Sequence, residues 1–206
     1  LSPSPDWIQK DLFFSRLEGL LHRRRPRILH RPGWRRAAVL LALWNHGPHL
    51  QLLFIRRSHR VRHHKGEISF PGGVWESQDG DLLQTALREA EEEVGILPQE
   101  AIPLGRLDDA LTLSSHYLVA PFVAALPSTP TFRANREVAE LLPLPLHRLL
   151  KPDRFEARQE EIDGLLIPVY TYEVEGLRIW GATARILKDL LDRIREDHPT
   201  LEALIE

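Results

Sequence analysis

"LREAEEEVGI", residues Leu87 to Ile96, sets four carboxylates (Glu89, Glu91, Glu92 and Glu93) directly behind Arg88. It closes a periodic run from Leu82 to Val94 that reads as a helix, stopped by Gly95 at its C-terminus. Helix positions three and four apart share a face, so Glu89, Glu92 and Glu93 lie together while Glu91 points elsewhere. Like charges so placed repel by about 0.2–0.5 kcal/mol per exposed pair, and by more where partly buried. A solvated acidic face is the common reading of such a cluster. A divalent cation is the other, because Mg²⁺ takes hard oxygen ligands and tolerates phosphate oxygens and waters in its shell. The surroundings favour the cation: "FPGG" (Phe70–Gly73) lies upstream, an arginine precedes the acids and a glycine ends the helix.

Outward from this helix the chain alternates strands and helices. Ser4-Pro5-Asp6 reads as a helix start, with Ser4 as N-cap. That helix is expected to run to about His22, with Trp7, Leu12, Phe13, Leu17 and Leu20 or Leu21 on its apolar side. "AAVLLALWN" (Ala37–Asn45) and "HLQLLFIRRS" (His49–Ser58) read as strands joined by a turn at "HGP". Pro71-Gly72-Gly73 is expected to break regular structure. "HYLVAPFVAAL" (His116–Leu126) reads as a buried strand and "LPSTPTFRAN" (Leu126–Asn135) as a loop. "EVAELLPLPLHRLL" (Glu137–Leu150) reads as a strand followed by a short helix. "LLIPVYTYEVEGLRIW" (Leu165–Trp180) reads as a hairpin turning at Glu175-Gly176. "ATARILKDLLDRIRED" (Ala182–Asp197) is a helix with Ile186, Leu187, Leu190, Leu191 and Ile194 on one face. Hairpins among helices imply an α/β (α+β) fold with a mixed central β-sheet covered by helices.

Composition narrows the function. The chain has 206 residues, 43% hydrophobic, with a net charge of −2 and no cysteine. Disulfides, thiolate nucleophiles and zinc–cysteine sites are excluded. The near-neutral charge dictates no nucleic-acid or membrane partner, no apolar run approaches membrane-spanning length, and the first residues are too polar for a secretory signal. The expected location is cytoplasmic. Charge is nevertheless uneven. "HRRRPRILHRPGWRR" (His22–Arg36) holds seven arginines and no acid, and "RRSHRVRHHK" (Arg56–Lys65) is also basic. The first run could contact nucleic acid or membrane, but an exposed, proline-broken connector is favoured because only Trp34 interleaves it. His59, His63 and His64 are expected to contact phosphate at most.

"GVWESQDGDLLQTALREAEEEVGI" (Gly73–Ile96) resembles the Nudix box, G-x5-E-x7-R-E-U-x-E-E-x-G-U, of the Nudix hydrolases. Arg88, Glu89, Glu92, Glu93, Gly95 and Ile96 match. The early acid falls at Asp79 instead of a glutamate, with one extra residue before Arg88, and Gly80 takes the in-register position. "LFIRRSHRVRHHKGEISFPGG" (Leu53–Gly73) is similar to the additional motif of the coenzyme A pyrophosphatase branch, through Leu53, Arg57, Ser58, Arg62, Gly66, Phe70, Pro71, Gly72 and Gly73. "RLDDALTLSSHYLVAPFVA" and "RIWGATARILKDLL" resemble that branch too, so the likeness spans about Arg36 to Leu191.

The resemblance implies a Nudix-type α/β/α sandwich over residues 36–195, with an N-terminal helix and basic linker at 1–35 and a tail at 196–206. It implies Mg²⁺ or Mn²⁺ held by Glu89, Glu92, Glu93 and the Gly72 carbonyl, with Arg88 bracing the loop, usually by pairing with the early acid. Water activated by such an ion would cleave the diphosphate of coenzyme A or its thioesters. Glu137, ahead of a later strand, and Glu93 are the two candidates for general base. Arg57, Arg62, Lys65, Gly72 and Gly73 are the expected substrate contacts, since arginine forks suit phosphate and glycines admit close backbone approach. A homodimer is a further expectation. Two other readings stay open: a Nudix hydrolase for ADP-ribose, NADH or another nucleotide, and a non-catalytic nucleotide-binding domain.

Overall fold

The strand "RRAAVLLALWNH", Arg35–His46 (β1), organises the molecule because it is buried on both faces. The computed structural model describes residues 11–61, 64–112, 114–127, 130–162 and 165–196. Successive side chains of a strand point to opposite faces. Ala38, Leu40, Ala42 and Trp44 accordingly enter one core and Ala37, Leu41 and Leu43 the other. The near-continuous apolar run thus serves two cores.

β1 pairs antiparallel with β2 (His49–Arg57) and parallel with β7 (Tyr117–Ala125). The central sheet is therefore mixed. Its path runs β3 (Ile68–Ser69), β2, β1, β7, β5 (Ile102–Arg106). β4 (Gly72–Val74) pairs with β1, β6 (Ala110–Thr112) with β7, and β8 (Val138–Pro145) with β2. A separate three-stranded sheet is ordered β11 (Leu177–Trp180), β10 (Leu165–Val174), β9 (Arg154–Ile162). Glu175 and Gly176 turn the β10–β11 hairpin, both with positive φ.

Helices cover both faces of the central sheet. α1 (Leu12–Arg23) buries Phe13, Phe14, Leu17 and Leu21, and α4 (Gly181–Glu196) buries Ile186, Leu187, Leu190, Leu191 and Ile194, all in one core. Full burial of such side chains contributes about 1.5–3 kcal/mol each. α2 (Leu82–Val94) presses Ala86, Leu87, Ala90 and Val94 onto the opposite face. A five-residue helix, α3 (Leu146–Leu150), follows β8. No described helix is long and apolar enough to cross a membrane.

Three expectations change. The expected N-cap Ser4 and Trp7 lie outside the described residues. Asp11 caps α1 through Phe13 N–H at 3.0 Å, so the buried stripe is Phe13, Phe14, Leu17 and Leu21, while Leu12 is half exposed. Pro71-Gly72-Gly73 does not end regular structure: Gly72–Val74 is a strand whose partner, β1, supplies the order that two glycines lack locally. The basic connector is not simply solvated. Asp108 accepts from Arg24 Nη2 at 2.7 Å and from the Arg27 N–H at 2.9 Å. Asp109, buried, accepts from the Leu29 N–H at 2.9 Å, from Arg36 at 3.3 Å and from Arg106. Arg193 of α4 closes the knot, reaching Asp108 at 3.3 Å and Asp189 at 2.9 Å.

Candidate active site

The acidic helix α2 lies across β1 and β4, and its ends are fixed by ordinary capping. Asp81 accepts from the Gln84 N–H at 2.9 Å, and Gly95, at φ 76°, closes the far end through its N–H to the Glu91 carbonyl at 3.0 Å. These caps orient Glu89 and Glu93 toward the Gly72-Gly73 step, while Glu92 is exposed. Glu91 is also exposed, as expected for the acid off the shared face.

The two glycines are needed where they stand. A Cβ on Gly72 would lie 2.3 Å from the Ala38 carbonyl oxygen, and one on Gly73 would lie 2.4 Å from the Glu89 carboxylate. Flanking bonds from the Leu40 N–H to Pro71 O and from the Trp75 N–H to Arg36 O set the β1–β4 alternation. Gly72 therefore occupies a non-hydrogen-bonded position of that ladder. Its N–H is free to donate to Glu93 Oε2 at 3.0 Å.

Arg88 is the brace of the loop. Its Nε and Nη2 reach the two Asp79 carboxylate oxygens at 2.9 and 3.1 Å, and Nη2 also reaches the Val74 carbonyl at 3.2 Å. The shorter early acid thus makes the bidentate pair. Thr85 Oγ1 and the Glu76 N–H complete the shell of Asp79, at 2.9 and 3.0 Å. The Arg88 hydrogen bonds hold the Asp79 carboxyl at about 2, well below its usual value. Arg88 Nη1 turns the other way, 3.0 Å from Glu89 Oε1 and 3.4 Å from Glu92 Oε2.

Glu93 is almost fully buried. Burial pushes its carboxyl up to about 7, against the pull of the Gly72 N–H and Arg57, while Glu89 and Glu137 push it further up. Glu89 is raised as well, first by burial, with Glu92 and Glu76 adding to it against the pull of Arg88. Two carboxylates that resist ionising face each other's charge across the glycine step. Glu76 also bears on Glu89, and its only signal in the sequence is its position three residues past Gly73.

The other expected residues divide. Arg57 Nη1 lies 3.5 Å from Glu93 Oε1, and its buried Nε donates to nothing among the described residues. It is turned into the acid cluster instead of outward. Glu137 sits beside it: the Ser58 N–H donates to the Glu137 carbonyl at 2.7 Å, and the Glu137 N–H donates to Asn135 Oδ1 at 2.8 Å. The Asn135 N–H in turn binds the Glu93 carbonyl at 2.9 Å, so the late loop is tied to the end of α2. Lys65 is exposed on the turn before β3, without a hydrogen bond or ion pair among the described residues. Arg62 and His63 lie outside the described residues. His64 has positive φ and bonds Glu67 and Ser115, each at 3.0 Å.

Among the described residues no three acids or imidazoles already stand as a cation's ligand set. Arg88 lies between Glu89 and Glu92, and Arg57 lies on Glu93. The donor chemistry nevertheless fits a hard divalent ion. Buried carboxylates raised by desolvation and mutual repulsion gain most from a cation, and exposed Glu92 can swing from its weak contact to Arg88.

The mixed sheet is thus covered by helices on both faces and carries a braced glycine strand against an acidic helix. The chain belongs to the Nudix family, as a hydrolase of pyrophosphate bonds: the NUDIX domain model matches residues 34–164. It is 40% identical over 161 residues to NudL, an uncharacterised Nudix hydrolase of Yersinia pestis (strain Pestoides F), across 78% of this chain and 80% of the relative. Two solved structures share the fold. The MutT/nudix family protein of Enterococcus faecalis aligns with a TM-score of 0.55 at 11% identity, over 98% of this chain and 80% of that one. The MutT protein of Methanosarcina mazei Go1 aligns with a TM-score of 0.53 at 19% identity, over 82% of this chain and 100% of that one.

Proposed function

We propose that this chain hydrolyses the diphosphate of coenzyme A or its thioesters, giving 3′,5′-ADP and 4′-phosphopantetheine or its acyl derivative. The observation that carries the reading is the stretch Leu53–Gly73. The residues resembling the coenzyme A motif run from Leu53 through Arg57, Ser58, Arg62 and Gly66 to Phe70–Gly73, and two of them, Arg57 and Gly72, contact Glu93. The proposed substrate segment and the acid cluster are thus one construction. Residues 36–195 form the proposed catalytic domain, with 1–35 and 196–206 flanking it.

Glu89, Glu92, Glu93 and the Gly72 carbonyl would hold Mg²⁺ or Mn²⁺. What a bound divalent ion supplies is charge neutralisation at the diphosphate and an activated water. Arg88 keeps the Gly72–Val74 strand in place through Asp79 and the Val74 carbonyl. Arg57, with one donor unspent, is positioned to turn from Glu93 to a phosphate oxygen. Glu137 has no cationic partner among the described residues and is assigned the acceptance of the water's proton, Glu93 being the second candidate. Arg62 and Lys65 supply further charge for the 3′-phosphate.

A substrate panel in Mg²⁺ tests this reading. Coenzyme A should turn over with the highest kcat/KM, ahead of ADP-ribose, NADH and nucleoside triphosphates. Faster turnover of ADP-ribose would remove the coenzyme A assignment while leaving the acid cluster as the catalytic centre.

A further inference from the structure

Among the described residues the three-stranded sheet ends in an open edge. β9 pairs only with β10 among the described residues, and Arg154 to Glu161 are all exposed or half exposed. Such an edge presents a row of unpaired backbone donors and acceptors and is a template for a further strand. Charged side chains commonly guard these edges. Here their order favours one partner.

Arg154, Glu156, Arg158 and Glu160 alternate in sign along one face of β9. Their common face is evident from the distances: Arg154 Nη2 lies 2.5 Å from Glu156 Oε1, and Arg158 Nη2 lies 2.8 Å from Glu160 Oε1. The pattern plus, minus, plus, minus reads as its own complement when the strand is reversed. In an antiparallel pair of β9 strands centred on Ala157, Arg154 faces Glu160 of the second copy and Glu156 faces Arg158. All four cross-strand pairs then have opposite sign, which stabilises a sheet. An antiparallel slide of two residues sets Glu156 or Arg158 against its own copy, an in-register parallel pairing sets every charge against itself, and a parallel pairing slid by two keeps only three opposite-sign pairs. The charge order therefore favours antiparallel pairing about Ala157, which alone satisfies all four.

The other face of β9 agrees. Phe155 is 44% exposed, although its ring meets Tyr170 at 6.1 Å and Tyr172 at 4.8 Å. In the same register it faces Gln159 of the second copy, whose methylene groups would cover the exposed ring edge. Ala157, at the centre, has the small side chain that lets it face itself. The edge lies on a sheet separate from the one that carries Gly72 and Gly73, so pairing there leaves the acid cluster unobstructed.

We propose that the β9 edge is a homodimer interface, in which two copies pair antiparallel about Ala157 and join their three-stranded sheets into one continuous sheet. Sedimentation equilibrium of the full chain tests it. Wild type should reach a mass twice the chain's 23.7 kDa, and the association should weaken as salt rises. Arg158→Glu places like charges opposite each other twice and should weaken association at least tenfold, with an unchanged melting temperature in dilute solution, since Arg158 is largely exposed. The double exchange Glu156→Arg with Arg158→Glu regenerates every opposite-sign pair and should restore the dimer. A wild-type chain that stays monomeric at millimolar concentration, an Arg158→Glu chain that still dimerises as wild type does, or a double exchange that fails to restore association would each overturn the proposal.

Discussion

Two arginine–carboxylate clusters in this protein look alike on paper and behave differently. In the knot at Asp108 and Asp109, each acid meets both guanidinium groups and backbone N–H groups, drawn from the connector, β1, β5 and α4. At α2, Asp79 is satisfied in the same way, whereas among the described residues Glu89 is met by Arg88 alone, and Glu93 has the Gly72 N–H but only a long contact to Arg57, at 3.5 Å. Glu93 is buried and Glu89 half-buried, and both are raised above their ordinary values and close to further acids. The first cluster ties segments about eighty residues apart in sequence. The second leaves its carboxylates raised above their ordinary values, which costs stability in the protein alone and would be offset by a bound cation. A buried acid with its donors complete holds structure, and one lacking them is poised for chemistry.

The sharpest break in this comparison should come from Glu92→Gln. Glu92 is exposed, so the fold should be unaffected, while removal of a proposed cation ligand should lower kcat by about 10³-fold, or roughly 4 kcal/mol of barrier. Steady-state kinetics beside a melting curve checks both halves. Asp109→Ala should do the reverse. Removing one partner of a buried ion network costs about 3 kcal/mol, read by denaturant unfolding, with activity per folded molecule retained. Mg²⁺ at a hundred times its dissociation constant should stabilise wild type by about 2.7 kcal/mol. The same addition should act equally on Asp109→Ala and much less on Glu92→Gln in thermal shift.

The smallest effect concerns pH. Asp79 titrates lower when folded, so its contribution is full above the ordinary value of 3.8 and is lost as pH falls through about 2. That contribution is about 2 kcal/mol. Asp79→Asn should flatten the acid limb of stability between pH 4 and 2 by that amount. An unchanged limb would mean that Asp79 is not the acid that braces Arg88.

Much of the fold could be read locally. β1, β2, β7, β8, α2 and α4 follow from apolar period and from glycine or aspartate at their ends. What escaped reading depends on distant partners. β4 is two glycines and a valine, ordered only by Ala37, Ala38 and Val39 across the ladder. β9 is a charged segment whose strand character comes from pairing along its whole length with β10. β5 and β6 are short and gain their order from β7. The acid face of α2 was legible because helical spacing alone places Glu89, Glu92 and Glu93. The inward turn of Arg57 and the role of Asp108 and Asp109 were not, because their partners lie 36 and about eighty residues away in sequence. Glu76 gave no periodic signal, and only folding brings its charge to bear on Glu89.

The most direct test of the central claim is product identification after incubation of the protein with coenzyme A and Mg²⁺ in ¹⁸O-labelled water. The expected products are 3′,5′-ADP and 4′-phosphopantetheine in equal amounts, with one labelled oxygen per turnover on a phosphate formed from the diphosphate. Intact coenzyme A, or release of inorganic phosphate from the 3′ position with the diphosphate uncut, would contradict it.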